Sequence, residues 1–227
     1  MKKIISCILL LTAFSSLSAE YTRKQLKQSV CDALPQINGW CSQEKALSFI
    51  DLVLEVKPNV CVDIGSFAGA SLFPVAKTLK FLKNGVVIGI DPWDTSENLR
   101  HFDLIADPVN TLWWAQINFD SIFSSCKTMI QNYDLTDYCI LYRMTSEKAA
   151  ANIDQIDILY IDGGHSEGAF TTDVLLYLPK VRNGGYIWLN DSLWEQAQYA
   201  IEILMERCDV VDLIDNGNCI LFKKREG

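Results

Sequence analysis

Two short stretches hold the residue types best suited to chemistry. Ile161-Asp162-Gly163-Gly164-His165 and Leu189-Asn190-Asp191 each set polar side chains directly after an apolar run. Such runs suit strands buried on both faces of a parallel sheet, and open α/β sheets bind ligands beyond the carboxyl ends of their strands. Asp162, Asn190 and Asp191 would then converge at one sheet edge, as oxygen ligands of the kind that suit Mg²⁺ or another divalent cation. His165 stands three residues past Asp162, and an imidazole of ordinary pKa near 6.5 accepts a proton at neutral pH. The plainer possibility is that Asp162 and Asp191 cap the helices that follow them, and that His165 donates a hydrogen bond at the start of a helix over 167–178.

A second constellation lies earlier. Asp63-Ile64-Gly65-Ser66-Phe67-Ala68-Gly69 follows the apolar run Val60-Cys61-Val62, and glycines at such a turn let backbone come close to a ligand. A dinucleotide fingerprint would need glycine at positions 67 and 70 as well, where this chain has Phe67 and Ala70, so a pyrophosphate cradle is disfavoured. Asp91 closes the run Val86 to Ile90 and could accept hydrogen bonds from both hydroxyls of a ribose. Either motif alone could be a structural turn; together, at this spacing, they favour a cofactor site.

The elements that must position these residues follow from the hydrophobic pattern. Ala46, Leu47, Ile50, Val53 and Leu54 recur at three and four residues, one buried face of a helix, and the helical pattern runs over 20–57 up to Pro58. Apolar runs at 60–62, 86–90, 139–142, 156–161 and 186–189 alternate with stretches long enough for crossover helices. That alternation gives an α/β fold with a doubly wound, mostly parallel sheet. The runs Val210 to Ile214 and Cys219 to Phe222 flank Asp215-Asn216-Gly217-Asn218, and Asn-Gly favours a hairpin, so an antiparallel pair completes a seven-stranded sheet. The stretch from Pro92 to Asp120 is aromatic, with Trp93, Phe102, Trp113, Trp114 and Phe119, and lacks a strand pattern. Its aromatics either cap the carboxyl edge of the sheet and face a substrate, or pack an ordinary helix.

VDIGSFAG, GIDPW, IDILYIDGGH and NGGYIWLND resemble the class I S-adenosylmethionine methyltransferases, and in particular the metal-dependent branch with catechol O-methyltransferase, macrolide sugar O-methyltransferases and cephalosporin hydroxylase-like proteins. The resemblance covers residues 38 to 224 and implies a Rossmann-like domain over 58–227. It places Asp63, Gly65, Ser66 and Gly69 around the methionine moiety of S-adenosylmethionine, Asp91 on the ribose and Ser146 near the adenine. It assigns Asp162, Asn190 and Asp191 to the metal, Mg²⁺ or another divalent cation, and His165 to the base. Catechol-type enzymes have aspartate before asparagine at the fifth strand, whereas Asn190 precedes Asp191 here; Gly164 stands where related chains often carry a bulkier or acidic residue. The implied activity is O-methylation of a small molecule or sugar. The alternative is an exported binding module that keeps the fold without catalysis, while a nicotinamide-dependent oxidoreductase is disfavoured by Phe67 and Ala70.

Residues 1–19 read as a signal peptide, with Lys2 and Lys3 ahead of an apolar run and small residues leading to Ala19. The 14 residues from Ile4 to Leu17 fall short of the roughly 20 that cross a bilayer. Cleavage and export to a periplasm or the exterior are expected, with an uncleaved anchor as the lesser possibility and no stable span after cleavage. Loss of Lys2 and Lys3 takes the formal charge from −8 to −10, so nothing resembles a phosphate-binding stripe and nucleic acid is excluded as a partner. A homo-oligomer is compatible with the sequence. Cys7 leaves with the signal, and the other seven of eight cysteines show no paired metal spacing. Export would suit disulfides Cys31–Cys41, Cys126–Cys139 and Cys208–Cys219, leaving Cys61 free.

Overall fold

The computed structural model describes residues 23–100 and 108–227. The signal segment over 1–19, with Cys7, and Phe102 lie outside them. Seven strands, β1 (Val60–Ile64), β2 (Val86–Asp91), β3 (Cys139–Arg143), β4 (Ile156–Ile161), β5 (Val181–Asn190), β6 (Cys208–Ile214) and β7 (Cys219–Lys224), form one sheet in the order β3-β2-β1-β4-β5-β7-β6. β1 pairs in parallel with β2 and β4, and β3 and β5 extend the parallel set on either side. β7 then runs antiparallel to both β5 and β6. This is the seven-stranded, mostly parallel sheet with an antiparallel terminal hairpin that the pattern called for. The strand order reverses beside β1, where β2 lies on one side and β4 on the other, and open α/β sheets bind ligands at such a point.

The helices are α1 over 23–33, α2 (Gln43–Val56), α3 (Leu72–Leu82), α4 (Thr95–Leu99), α5 (Pro108–Ala115), α6 (Phe119–Asn132), α7 (Ser146–Ala150), α8 (Glu167–Tyr177) and α9 (Gln198–Arg207). Because alternate side chains of a strand point to opposite faces, the sheet feeds two cores. Cys61, Tyr160 and Trp188 join Phe49 of α2, Leu79 of α3 and Met129 of α6. Val62, Ile64, Leu159, Ile161 and Ile187 join Phe170 and Val174 of α8 and Leu204 of α9.

Three expectations about elements are corrected. The helical pattern read over 20–57 is interrupted within the described residues: Leu34–Gln36 forms a 3₁₀ turn with proline near its start, and Gly39 takes φ +129. Ser42 then opens α2 by accepting a hydrogen bond from the Lys45 amide. Strand β5 begins at Val181 rather than Tyr186, because Val181 pairs with Ile156 across an irregularity that absorbs the glycines. All seven cysteines of the described residues are free. In the hairpin Cys208 lies opposite Lys224 and Cys219 opposite Ile214, so the two sulfurs sit at opposite ends of the ladder, beyond the roughly 7 Å Cα separation a disulfide tolerates.

Candidate active site

A cavity of about 820 Å³ opens where β1, β2, β4 and β5 end. Gly65, Asp91, Ser146, Asp162, His165, Asn190 and Asp191 line it; Asp63, Ser66 and Gly69 do not. Asp63 turns inward. Its Oδ2 accepts hydrogen bonds from Ser66 Oγ at 3.0 Å and Ser71 Oγ at 2.9 Å, and burial pushes its carboxyl up to about 7. Ser66 is spent on that bond. Gly69, at φ +95, faces the core, where a Cβ would meet Met129 Cε at 2.5 Å. The side chains of Asp63 and Ser66, and the bare Cα of Gly69, thus shape the β1–α3 turn from behind.

Gly65 and Asp91 do the forward-facing work. Gly65 takes φ +87, and a Cβ there would stand 1.9 Å from the Asp162 carbonyl oxygen, so only glycine lets the ends of β1 and β4 come together. Asp91 Oδ2 accepts from the Phe67 amide at 3.0 Å and Oδ1 from the Trp93 amide at 2.7 Å. Both donors sit at positive φ, +44 for Phe67 and +42 for Trp93, a conformation that costs a bulky L-residue roughly 1–2 kcal/mol. One carboxylate thus holds two strained turns. Each oxygen keeps a second lone pair for a ligand hydroxyl. Burial raises the Asp91 carboxyl to about 6 despite those two amide bonds.

Near the start of α7, Ser146 meets a group that sequence reading missed. Asp173, 4% exposed on α8, hydrogen-bonds Ser146 and is driven up to about 7 by burial. An acid among Ala169, Phe170, Val174 and Tyr177, the buried face of α8, was the available signal.

The far end of the cavity is acidic. Asp191 adopts φ +53, which breaks strand alternation and lets Asn190 and Asp191 both reach the cavity. Asp191 Oδ2 lies 3.1 Å from His165 Nε2, and its Oδ1 accepts from Asn218 Nδ2 at 3.2 Å. Asp162 accepts from Tyr160 Oη and from Asn190 Nδ2, each at 2.9 Å. Neither acid caps a helix, and the N-cap of α8 is Ser166, so His165 is not the cap either. Single ligand atoms of Asp162, His165 and Asp191 lie within 4.8 Å of one another, a donor set that fits a divalent cation.

Burial, then the charge of Asp191, raises the Asp162 carboxyl to about 6. Burial opposes the charged imidazole of His165, yet the Asp191 bond and the two carboxylates outweigh it and raise its pKa. Burial likewise opposes the Asp191 carboxylate, and His165 outweighs it in the other direction. The two shifts describe one ion pair.

The fourth polar partner is Lys45, on the buried face of α2 and 3% exposed. Its Nζ donates to Asn190 Oδ1 at 2.9 Å and stands 3.8 Å from Asp215 Oδ2 in the β6–β7 loop. A lysine one residue ahead of Ala46 and four ahead of Phe49, both fully packed, was its mark in the sequence. Asn190 therefore differs from the expected metal ligand: its oxygen faces an ammonium and its nitrogen a carboxylate.

The aromatic stretch divides. Trp93 and Phe119 are buried in the core, whereas Trp113 and Trp114 line the cavity and meet Trp40 at ring distances of 5.7 and 6.1 Å. Trp194 leans on His165 at 5.1 Å.

Residues 62–192 match the methyltransferase domain family. Among solved structures, the chain is similar to the O-methyltransferase NovP, with TM-score 0.65 and 15% identity over 82% of this chain and 81% of that one. It is also similar to the SAH-bound methyltransferase PaMTH1 of Podospora anserina, with TM-score 0.63 and 11% identity over 94% and 96%. The O-methyltransferase TomG of Streptomyces achromogenes, in complex with SAM, gives 0.60 and 11% over 82% of each chain. No curated protein matches the sequence.

Proposed function

The chain belongs to the methyltransferase domain family, and from that premise we propose that it moves the methyl group of S-adenosylmethionine to a hydroxyl oxygen of a small molecule or sugar, at a site that takes a divalent cation. The observation that carries this is the single cavity wall that joins Gly65, Asp91 and Ser146 to Asp162, His165 and Asp191. The first three suit the cofactor. Asp91 would offer its remaining lone pairs to a ribose diol, Gly65 would let backbone approach the methionine end, and Ser146 would meet the adenine.

Asp162 and Asp191 would hold the cation, with His165 either a third ligand or the proton acceptor. When bound, the cation lowers the pKa of the acceptor hydroxyl and neutralises the oxyanion. The chain's own contribution is positional: Gly65 and Asp91 at the ends of β1 and β2 would hold the cofactor, residues at the ends of β4 and β5 would hold the acceptor, and the ordering of two reactants would supply much of the rate. His165 would serve as the proton acceptor only in its neutral form, with Nε2 rid of the hydrogen that it donates to Asp191 in the ion pair. A second role, as ligand, is favoured by its place within the 4.8 Å cluster. Manganese affinity of His165→Ala separates the two, being unchanged for a base and weakened for a ligand.

Calorimetric titration of the full chain with S-adenosylmethionine and with NAD, each with and without Mg²⁺ or Mn²⁺, tests the proposal. The expected result is binding of the first alone, with a cation response that Asp162→Ala abolishes. Binding of NAD, or of neither nucleotide, overturns it.

A further inference from the structure

Lys45 reaches the acidic end of the cavity from the other end of the chain, and its contacts fix the orientation of Asn190. An ammonium can only donate and an ionised carboxylate can only accept. The Asn190 amide lies between the two, 2.9 Å from Lys45 Nζ on one side and 2.9 Å from an Asp162 oxygen on the other. Both neighbours demand the same orientation, Oδ1 to Lys45 and Nδ2 to Asp162. Turning the amide over, so that its oxygen faces the cluster, would set an NH₂ group against the ammonium and an oxygen against Asp162 Oδ1, leaving Asp162 only its bond from Tyr160.

The ammonium has a second effect. Lys45 is buried beside Asp162 and Asp191 and bears electrostatically on both. Any cation held by those carboxylates meets its repulsion, which is little screened in a buried site.

Resting on the divalent-cation reading above, the geometry points to Lys45 as a positioning residue that withholds Asn190 from the coordination sphere and lowers the site's affinity for a divalent cation. The N-terminal helix α2 thereby sets how tightly the acidic end holds its metal. Asp215, 3.8 Å from Lys45, keeps the ammonium in place from the β6–β7 loop. Neither residue needs to touch the acceptor for this role.

The test is calorimetric titration with MnCl₂ of the wild-type chain, Lys45→Met, Lys45→Gln, Lys45→Arg and Asp191→Ala, with thermal melting of each as a check on folding. Lys45→Met, similar in length and uncharged, is expected to bind Mn²⁺ roughly tenfold tighter or more, as removal of a buried like charge at short range implies. Lys45→Gln, which keeps a donor to Asn190 and drops the charge, is expected between Lys45→Met and wild type. Lys45→Arg keeps the charge and stays within about threefold of wild type. Equal or weaker Mn²⁺ binding by the neutral variants that fold overturns the inference while leaving the cation site standing. Absence of Mn²⁺ binding in every variant, or binding indifferent to Asp191→Ala, overturns the cation reading and this inference with it.

Discussion

Replacing Asp63 with asparagine removes a buried charge and little volume. The carboxyl is 3% exposed, its Oδ1 is buried without a partner, and burial lifts it from 3.8 to about 7. Between those two values the native state keeps a proton that the unfolded chain has released, so stability falls as pH rises, and above about 7 the whole cost is present. Three units at 1.36 kcal/mol each set an upper bound of about 4 kcal/mol. Asparagine avoids that cost and still accepts from Ser66 and Ser71, but it sets an N–H where Oδ1 lacks a partner, a loss of about 1–3 kcal/mol. The net expectation is a variant more stable than wild type by roughly 1–3 kcal/mol at pH 8, with the difference gone or reversed near pH 4.5. Urea denaturation followed by tryptophan fluorescence at both pH values, at constant ionic strength, measures it. Because Asp63 faces away from the cavity, affinity for S-adenosylhomocysteine should change by no more than a few fold. Parallel pH profiles for the two proteins would refute the linkage, and a collapse of cofactor affinity without loss of stability would refute the inward placement.

Gly65→Ala should destabilise the fold by roughly 3 kcal/mol or more in thermal melting, since both φ +87 and the Asp162 carbonyl oppose a Cβ. Asp91→Asn should weaken S-adenosylmethionine binding about tenfold to a hundredfold, the worth of one charge-assisted hydrogen bond, as read by calorimetry; the amide also turns an NH₂ toward Phe67 or Trp93, so melting should fall as well. His165→Ala should remain folded and lose turnover on an identified acceptor by about 10²-fold or more; full turnover would remove it from the chemistry. Alkylation of the unfolded, non-reduced chain followed by peptide mass mapping should find Cys208 and Cys219 as thiols; a bond between them would contradict the hairpin register.

The parallel sheet was legible because buried strands leave short apolar runs: the run at 156–161 reappears as β4 with the same bounds, and that at 60–62 as β1 extended by two residues. The antiparallel hairpin of β6 and β7 was legible from Asn216-Gly217. Strand β5 was read five residues short, since Gly184 and Gly185 are turn residues locally and become strand only through pairing with β4. In the site, positions at strand ends were found and orientations were not. Asp63 and Asp91 are both strand-end acids in sequence, and only the third dimension turns the first toward Ser66 and Ser71 and the second toward the cavity. Lys45 and Asp173 were missed because a charged residue on an apolar helix face reads locally as the edge of the stripe. Their partners lie 145 residues away in the first case, and in the second on a different helix.

The acidic end of the cavity also has a history within folding. Lys45 belongs to the second helix, Asp162 to the end of the fourth strand, Asn190 to the fifth strand, and Asp215 and Asn218 to the last hairpin. Contacts of such sequence separation form late, because closing long loops costs entropy before the contacts repay it. A species with β1 to β4 paired and the terminal hairpin unformed would hold Gly65 and Asp91 and have no acidic cluster. Anything that binds the native state alone adds to its stability by mass action. An occupant of the acidic end is therefore a selective stabiliser of the finished chain, whereas an occupant of the β1–β2 end would also support a chain whose terminal hairpin has yet to form.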